Sequence, residues 1–201
     1  MTRLFRLWFS FRKRGTMKRL LIVVDYQNDF VDGALGFEGA ELLDERIARK
    51  IDEYREAGDA IAFTFDTHHK DYLKTQEGQK LPIPHCLEGS AGHGLYGQVA
   101  TKQEDVDTVF YKPTFGSTAL FERLVSRQSI ADGLGTQPFA SIELVGLVSS
   151  MCVLSNAVIA RTACPNVPII VDASCTAAPD PAMHEKALDI LENLQIEVTN
   201  R

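Results

Sequence analysis

Two continuous apolar runs, each ending at an acid, constrain the fold of this chain more than any other feature. Residues 19–25 (RLLIVVD) and 60–66 (AIAFTFD) have the unbroken, β-branched character of strands that are buried on both faces. We also expect strands at residues 108–112, 141–148, 167–172 and 196–199, and helices at residues 40–57, 118–126, 151–163 and 181–193. This alternation predicts an α/β fold, a three-layer α/β/α sandwich with a mainly parallel sheet.

The length and charge of the chain limit its organisation and its partners. The 201 residues fit one domain, and the net charge of -6 argues against nucleic acid as a partner. Residues 1–19 nevertheless carry seven basic side chains and no acid. We interpret residues 1–16 as a basic extension upstream of a true start at Met17, and residues 17–201 as the domain. The alternative is a basic arm that touches an anionic membrane or a partner, but its apolar run is too short for a membrane span.

The cysteines and one long irregular segment give two further expectations. Cys86, Cys152, Cys164 and Cys175 show no C-x-x-C spacing, which favours a reducing cytosol over a disulfide framework. Residues 67–104 show little periodicity and many turn formers, so they are predicted to form a long loop with short elements. A loop of that length inside a compact domain is usually functional.

Chemically reactive side chains follow the predicted strands at the points where the strands end. Asp25, Asp66 and Lys112 end three strands, and Cys152 follows a fourth at the start of a helix. Ligands of open α/β sheets bind beyond the carboxyl ends of the strands, so these residues are predicted to share one site. A lysine favours the thiolate of a nearby cysteine, and a carboxylate can take the thiol proton. Each residue also has a plain structural reading, namely a loop carboxylate, a solvated lysine and a buried cysteine.

A metal site is predicted from a second set of side chains. Asp66 and His68 form a D-x-H pair, and His85 follows in the long loop. Carboxylate and imidazole ligands suit Zn²⁺, Mn²⁺ or Fe²⁺, and three protein ligands leave positions open for water or substrate. A D-x-H pair alone is a weak signal, since surface histidines are common.

Five segments in order resemble the isochorismatase-like cysteine hydrolases, and within them the nicotinamidases. The segments lie at residues 24–30 (VDYQNDF), 64–68 (TFDTH), 81–92 (LPIPHCLEGSAG), 112–117 (KPTFGS) and 146–153 (GLVSSMCV). They are similar to the family's D-x-Q-x-D-F, T-x-D-x-H and P-x-H-C-x-x-G-T-x-G segments, its catalytic-lysine segment and its G-x-x-T-D-x-C-V nucleophile loop. The resemblance covers roughly residues 17 to 200.

The resemblance implies a role for each matching residue. The implied roles are a catalytic triad of Asp25, Lys112 and Cys152; an oxyanion hole from the backbone N–H groups of Val148 and Cys152, beside a cis bond at Leu147–Val148; an aromatic sandwich of Phe30 and Phe115 around the substrate ring; and a metal, Zn²⁺ first, on Asp66, His68 and His85, with Glu77 as an extra ligand. The implied reaction converts nicotinamide and water to nicotinate and ammonia, with the metal on the pyridine nitrogen. A small amide and a homo-oligomer are the expected partners.

Two departures from the family pattern bear on the substrate. Ser149 and Ser150 stand where the nucleophile loop has T-D, and Thr67 stands where many nicotinamidases carry an aromatic residue. Two alternatives therefore stay open: a family hydrolase for another small amide or ether, and a non-catalytic protein that binds a small ligand on the same fold. Cys86, next to His85, is a weaker candidate nucleophile because it follows a proline-rich loop.

Overall fold

Six parallel strands form a single sheet at the centre of the structure. The computed structural model describes residues 17–201, so the basic extension at residues 1–16 lies outside the described residues. The strands are β1 (Leu20–Val24), β2 (Ala60–Asp66), β3 (Thr108–Lys112), β4 (Ile142–Leu147), β5 (Ile169–Ala177) and β6 (Glu197–Thr199). Their spatial order is β3-β2-β1-β4-β5-β6, and each neighbouring pair is parallel.

Helices connect the strands, as crossover connections between parallel strands require. The α-helices are α1 (Asn28–Val31), α2 (Asp44–Glu56), α3 (Gln76–Lys80), α4 (Gly97–Lys102), α5 (Thr118–Gly133), α6 (Leu154–Ala163) and α7 (Pro181–Asn193). Short 3-10 segments lie at Ala40–Leu43, Tyr72–Lys74 and Ala91–His93, and a π-helical turn at Ser149–Val153 precedes α6. Across residues 17–201, none of the helices has the length and apolar character needed to cross a membrane.

The two faces of the sheet bury separate apolar clusters. Successive residues of a strand point to opposite faces, so Leu20, Ile22 and Val24 join the cluster beneath α5, α6 and α7. Leu21 and Val23 join the second cluster, which packs against α2 and α4. Every residue of β1 is buried. The predicted α/β/α sandwich with a parallel sheet is therefore confirmed.

The boundaries of several elements differ from the prediction. Helix α5 extends to Gly133 rather than ending at residue 126, because Gln128 and Ala131 continue its buried face through a polar stretch. Strand β5 extends to Ala177 rather than residue 172, and its pairing with β4 shifts register between Leu144 and Gly146. Residues 67–104 were expected to form a long loop with short elements, and they contain the short helices α3 and α4 joined by loops.

Candidate active site

The carboxyl edge of the sheet brings the predicted catalytic residues together. Asp25 follows β1 directly with a positive φ of 45°. Asp66 and Lys112 are the last residues of β2 and β3 and are register partners. Cys152 lies in the π-helical turn that follows β4. Four separate strands thus deliver one acid, one lysine, one cysteine and a second acid to the same place.

Lys112 lies at the centre of this cluster. Its Nζ atom is 2.6 Å from Asp25 Oδ2 and 3.5 Å from Cys152 Sγ. It also donates to the Thr114 carbonyl oxygen at 2.9 Å and lies 3.4 Å from Asp66 Oδ1. The three side chains of the predicted triad are almost fully buried, with exposures of 0% for Asp25, 1% for Lys112 and 5% for Cys152. The plain reading of Lys112 as a solvated lysine is therefore wrong.

Burial sets the protonation of this group. It raises the pKa of Asp25, and the positive charge of Lys112 opposes that effect. Burial, and after it the charge of Asp25, raises the pKa of the Cys152 thiol well above its usual range, while Lys112 again opposes. Burial acts to lower the pKa of Lys112, but the charges of Asp25, Cys152 and Asp66 outweigh it and the pKa is raised. Lys112 therefore stays cationic, and the raised pKa of Asp25 favours transfer of the thiol proton to its carboxylate.

One carboxylate oxygen of Asp25 is held by a neighbouring strand. The Thr64 hydroxyl donates to Asp25 Oδ1 at 2.6 Å, and the Asp25 backbone N–H donates to the Thr64 carbonyl oxygen at 3.2 Å. Thr64 is fully buried in β2. Because Oδ1 is occupied by this hydroxyl, Oδ2 is the oxygen that faces Lys112.

The turn that carries Cys152 is closely tied by backbone hydrogen bonds. The Leu147–Val148 peptide bond is cis, as the resemblance implied. The Val148 carbonyl oxygen accepts from the N–H groups of Met151 at 3.1 Å and Val153 at 3.2 Å. Ser149, which stands at the threonine position of the family loop, is fully buried, and its hydroxyl lies 3.0 Å from Nδ1 of His184.

The predicted metal ligands also converge. One donor atom each from Asp66, His68, Glu77 and His85 lie within 4.8 Å of one another. Asp66 Oδ2 is 3.0 Å from His68 Nε2 and 3.3 Å from His85 Nε2, and Glu77 Oε1 is 3.7 Å and 3.8 Å from the same two nitrogens. Asp66, whose other oxygen faces Lys112, therefore joins this cluster to the triad.

The chemistry of this donor set fits a divalent cation. His85 Nδ1 lies 2.8 Å from the Ile83 carbonyl oxygen, which can only accept a hydrogen bond, so Nδ1 carries a proton. In the neutral ring, Nε2 then carries a lone pair, and this atom faces the carboxylates of Asp66 and Glu77. Acceptors that face acceptors in a buried site call for a cation between them. A second hydrogen bond that fixes the ring tautomer is typical of metal-binding histidines.

A buried glutamine holds Asp66 in position. Gln27 donates through Nε2 to the Asp66 carbonyl oxygen at 3.0 Å and to the His93 carbonyl oxygen at 2.9 Å. Its Oε1 accepts from the Asp66 N–H at 2.8 Å. The segment after β1 and the end of β2 are thus clamped together through one side chain.

The two predicted ring-binding phenylalanines lie in different surroundings. Phe30 is buried, and its ring centroid is 5.6 Å from that of His85. Phe115 is 43% exposed and lines a cavity of about 450 Å³ together with Glu77 and Met151. Because Glu77 belongs to the candidate metal cluster and Met151 precedes Cys152, this cavity lies beside both parts of the candidate site.

Cys86 is less suited to act as a nucleophile than Cys152. It is fully buried, and its backbone N–H donates to Asp29 Oδ2 at 2.7 Å. Burial, followed by the charges of Asp66 and Asp29, raises the pKa of its thiol. Lys112 contacts Cys152 directly, and it is this contact that distinguishes the two cysteines.

Reasoning from the sequence missed three residues that hold the site. Thr64 and Gln27 lie inside the motifs that were identified, but no role was assigned to them. Asn156, on α6, hydrogen-bonds to the Cys152 carbonyl oxygen at 2.8 Å. All three are polar and fully buried. A polar side chain among apolar residues of a strand or helix was the signal that could have indicated Thr64 and Asn156, whereas Gln27 lies between β1 and α1 among polar residues and carries no such signal.

Comparison with known proteins establishes the family. The family model described as "Isochorismatase domain" matches residues 19–201. The chain is 31% identical over 153 residues to "Uncharacterized isochorismatase family protein PncA" of Bacillus subtilis, covering 71% of this chain and 78% of that protein. It is 29% identical over 148 residues to "Nicotinamidase/pyrazinamidase" of Mycobacterium tuberculosis, covering 69% and 76%.

Solved structures agree with this result. The nicotinamidase/pyrazinamidase PncA from Bacillus subtilis superposes with a TM-score of 0.76 at 29% identity, covering 90% of this chain and 99% of that one. The pyrazinamidase of Pyrococcus horikoshii in complex with zinc gives a TM-score of 0.72 at 19% identity, covering 92% and 99%, a likeness of fold. The chain belongs to the isochorismatase family of hydrolases. The predicted family, with its nicotinamidase branch, is thereby confirmed.

Proposed function

We propose that this protein is a metal-assisted cysteine amidohydrolase and that nicotinamide is its substrate. The observation that carries the proposal is the position of Lys112 Nζ, 2.6 Å from Asp25 and 3.5 Å from Cys152. A carboxylate can take the thiol proton and the cation can stabilise the thiolate, so this arrangement can activate a cysteine for acyl transfer. The products would be nicotinate and ammonia.

The proposed reaction begins with a proton transfer inside the buried triad. Asp25 takes the proton of the Cys152 thiol, and Lys112 stabilises the thiolate that forms. The thiolate attacks the amide carbonyl, and the backbone N–H groups of Val148 and Cys152 receive the negative charge on oxygen. Asp25 then gives its proton to the departing ammonia. Water hydrolyses the resulting thioester, with Asp25 as the base, and frees Cys152.

Asp66, His68 and His85, with Glu77, would hold a divalent metal, Zn²⁺ first and Mn²⁺ or Fe²⁺ as alternatives. When bound, the metal supplies Lewis-acid binding and orientation of the substrate. The proposal rests on the convergence of four donor side chains, among them His85, whose Nδ1 donates to the Ile83 carbonyl oxygen and whose Nε2 faces the carboxylates of Asp66 and Glu77. Asp66, which also lies 3.4 Å from Lys112, would link the metal to the triad.

The relatives support amide hydrolysis, and two residues that differ from the nicotinamidase pattern bear on which amide is the substrate. The relative from M. tuberculosis bears the name nicotinamidase/pyrazinamidase, which describes hydrolysis of a C–N amide bond. In this chain the Thr67 hydroxyl lies 2.9 Å from His93 Nε2, where many nicotinamidases have an aromatic side chain. Thr67 and Ser150 favour a second candidate, a sister hydrolase that acts on another small amide or ether.

The test is ammonia release by purified protein from nicotinamide and from a panel of other small amides, with metal content measured on the same sample. We expect the largest kcat/KM for nicotinamide and no turnover by Cys152→Ala. Ammonia release from another amide but not from nicotinamide would overturn the substrate assignment and leave the proposed mechanism in place. Alkylation of Cys152 by iodoacetamide near neutral pH distinguishes either hydrolase from a non-catalytic binding protein, in which this thiol would not react.

Three further predictions concern the protein as a whole. A homo-oligomer is expected, and light scattering coupled to size exclusion tests it. A cytosolic location and the division into residues 1–16 and 17–201 also stay predictions. Expression from Met17 with full activity would support the second of these.

A further inference from the structure

An asparagine stands one helical turn after the candidate nucleophile. Asn156 lies in the first half of α6, a helix whose sequence is otherwise rich in alanine and branched apolar residues. It is fully buried. Asparagine is a poor residue for a helix interior, and a buried amide is costly unless its donors and acceptor are satisfied. Its presence therefore requires a specific set of partners.

Every polar atom of the Asn156 side chain has a backbone partner. Nδ2 donates to the carbonyl oxygen of Cys152 at 2.8 Å and to that of Phe115 at 3.0 Å. Oδ1 accepts from the N–H of Ser117 at 3.0 Å. One bond is made within the turn that carries the nucleophile, and two reach across to a different segment of the chain.

The segment reached in this way is the one that follows the candidate catalytic lysine. Lys112 Nζ donates to the carbonyl oxygen of Thr114 at 2.9 Å, so the path of this segment also bears on where the ammonium group lies. At its far end the Ser117 hydroxyl accepts from the N–H of Leu120 and caps α5. Between the two ends, the hydrogen bonds of Asn156 join the segment to the nucleophile turn.

We propose that Asn156 is a positioning residue that sets the separation between Lys112 Nζ and Cys152 Sγ. The inference rests on the proposed function, since it gives those two atoms their roles. The effect of Lys112 on the thiol depends on distance, because a charge interaction in a buried site weakens as the atoms separate. Asn156 also bonds the backbone of Phe115, whose ring lines the cavity, and so relates the position of that ring to the nucleophile.

No other side chain of this size makes the same three bonds. Leucine makes none of them, and aspartate has no donors when it is ionised. Serine can return a bond to the carbonyl oxygen one turn earlier in its own helix, but it is too short to reach Phe115 and Ser117. Asn156→Leu therefore removes all three bonds, and Asn156→Ser removes the two that cross to the other segment.

The test is the pH dependence of Cys152 alkylation by iodoacetamide, followed by peptide mapping, in the full-length protein. We expect alkylation of Cys152 at pH 7 to slow about tenfold in Asn156→Leu and in Asn156→Ser, as a one-unit rise in the thiol pKa requires. With nicotinamide as substrate, kcat should fall about tenfold to a hundredfold and KM much less, because the reacting groups and not the binding contacts are misplaced.

Two control variants separate positioning from general damage. Thr162→Ala removes a hydroxyl that donates to the Val158 carbonyl oxygen at 2.7 Å, an exposed bond of the same helical spacing on α6. Ile47→Ala destabilises the core on the other face of the sheet. Both should keep the wild-type alkylation profile at temperatures where they are folded.

Two outcomes would overturn the proposal. One is a wild-type alkylation profile in both Asn156→Leu and Asn156→Ser. The other is an equal slowing in Ile47→Ala at a matched loss of thermal stability. Alkylation needs no substrate, so wild-type protein that leaves nicotinamide intact would remove the proposed substrate without deciding the role of Asn156.

Discussion

Two clusters of buried charge lie in this domain, and only one of them has the parts of an active site. At the carboxyl edge of the sheet, Lys112 contacts Asp25, Asp66 and Cys152. The second cluster centres on Lys50 of α2, whose Nζ is 2.5 Å from both Glu143 Oε1 and Asp172 Oδ2. Glu143 is near the start of β4, away from the ends where the reactive side chains meet.

The two clusters differ in whether a reactive side chain lies beside the lysine. Around Lys50, the acids are saturated by hydrogen bonds: Tyr54 donates to Glu143 at 2.5 Å, and Ser174 and Asn200 donate to Asp172 at 2.7 Å and 3.0 Å. Around Lys112 there is a thiol, and one acid has a raised pKa. A buried ion pair is thus a weak sign of function by itself. A nucleophile beside the pair, at a strand end, distinguishes the candidate site.

Neutralising the two lysines should differ in its effect on activity, and the loss of activity in Lys112→Met is the largest effect that we expect. This substitution removes the cation between Asp25 and Cys152, so we expect kcat for amide hydrolysis to fall by about 10⁴-fold or more, as for members of other catalytic triads. Ammonia release measures this loss. Lys50→Met is the matched control and should keep kcat in its folded fraction. A Lys112→Met enzyme with near wild-type turnover would remove the distinction between the clusters.

Lys50→Met should lower stability without lowering kcat. It leaves Glu143 and Asp172 as buried acids without their cation, and breaking a buried pair in this way costs about 3–5 kcal/mol. Urea unfolding followed by circular dichroism measures the free energy of unfolding. An unchanged midpoint would show that the Lys50 cluster contributes nothing to the fold.

The sequence predicted the residues at the carboxyl edge of the sheet better than it predicted the Lys50 cluster. Continuous apolar runs such as residues 60–66 make a strand visible, and the acid or lysine that ends it then becomes conspicuous. Lys50, Glu143 and Asp172 belong to a helix and two strands far apart in sequence, and each resembles an ordinary charged residue. Their pairing depends on the order of the strands, which local patterns do not encode.

Element boundaries were lost for a related reason. The small residues 173–176 (ASCT) break the apolar, β-branched run and hide the second half of β5, and the polar residues 127–129 (RQS) hide the continuation of α5. Asn156 was missed because its partners, Phe115 and Ser117, become neighbours only when α6 packs beside the segment after β3. The resemblance to a family assigned roles to residues inside its motifs, but it indicated neither these boundaries nor Asn156.

The candidate metal ligands offer a further test of how the Lys112 cluster differs from the Lys50 cluster. Glu77→Gln weakens one carboxylate of the donor set, so we expect zinc affinity to fall about tenfold, the lower end of what supporting contacts contribute. Competition with a chromogenic chelator measures this affinity. Glu88→Gln, an exposed acid of the same loop beside His69, is the control and should bind as wild type. Equal affinity in Glu77→Gln would leave Asp66, His68 and His85 as the complete ligand set.

The smallest expected effect is an acid-dependent one at the Lys50 cluster. Burial works to raise the pKa of Asp172, but hydrogen bonds from Lys50, Ser174 and Asn200 outweigh it and lower the pKa. An acid with a lowered pKa in the folded state contributes stability that is present above its unfolded pKa, about 4, and is lost as the pH falls through the folded pKa.

The difference in unfolding free energy between wild type and Lys50→Met should therefore shrink as the pH falls towards the lowered folded pKa of Asp172 in the wild type. Urea unfolding at a series of pH values measures it. A difference that stays constant from neutral pH to pH 3 would show that Asp172 does not draw its stability from Lys50.

The proposed mechanism requires Cys152 to form a covalent bond with the acyl group of the substrate. Rapid acid quenching of the metal-loaded protein during turnover of nicotinamide, followed by peptide mapping in a mass spectrometer, tests it directly. We expect a nicotinoyl thioester on the peptide that contains Cys152, absent from Cys152→Ala and from the peptides with Cys86, Cys164 and Cys175. Turnover by Cys152→Ala, or an acyl group on Cys86, would contradict it.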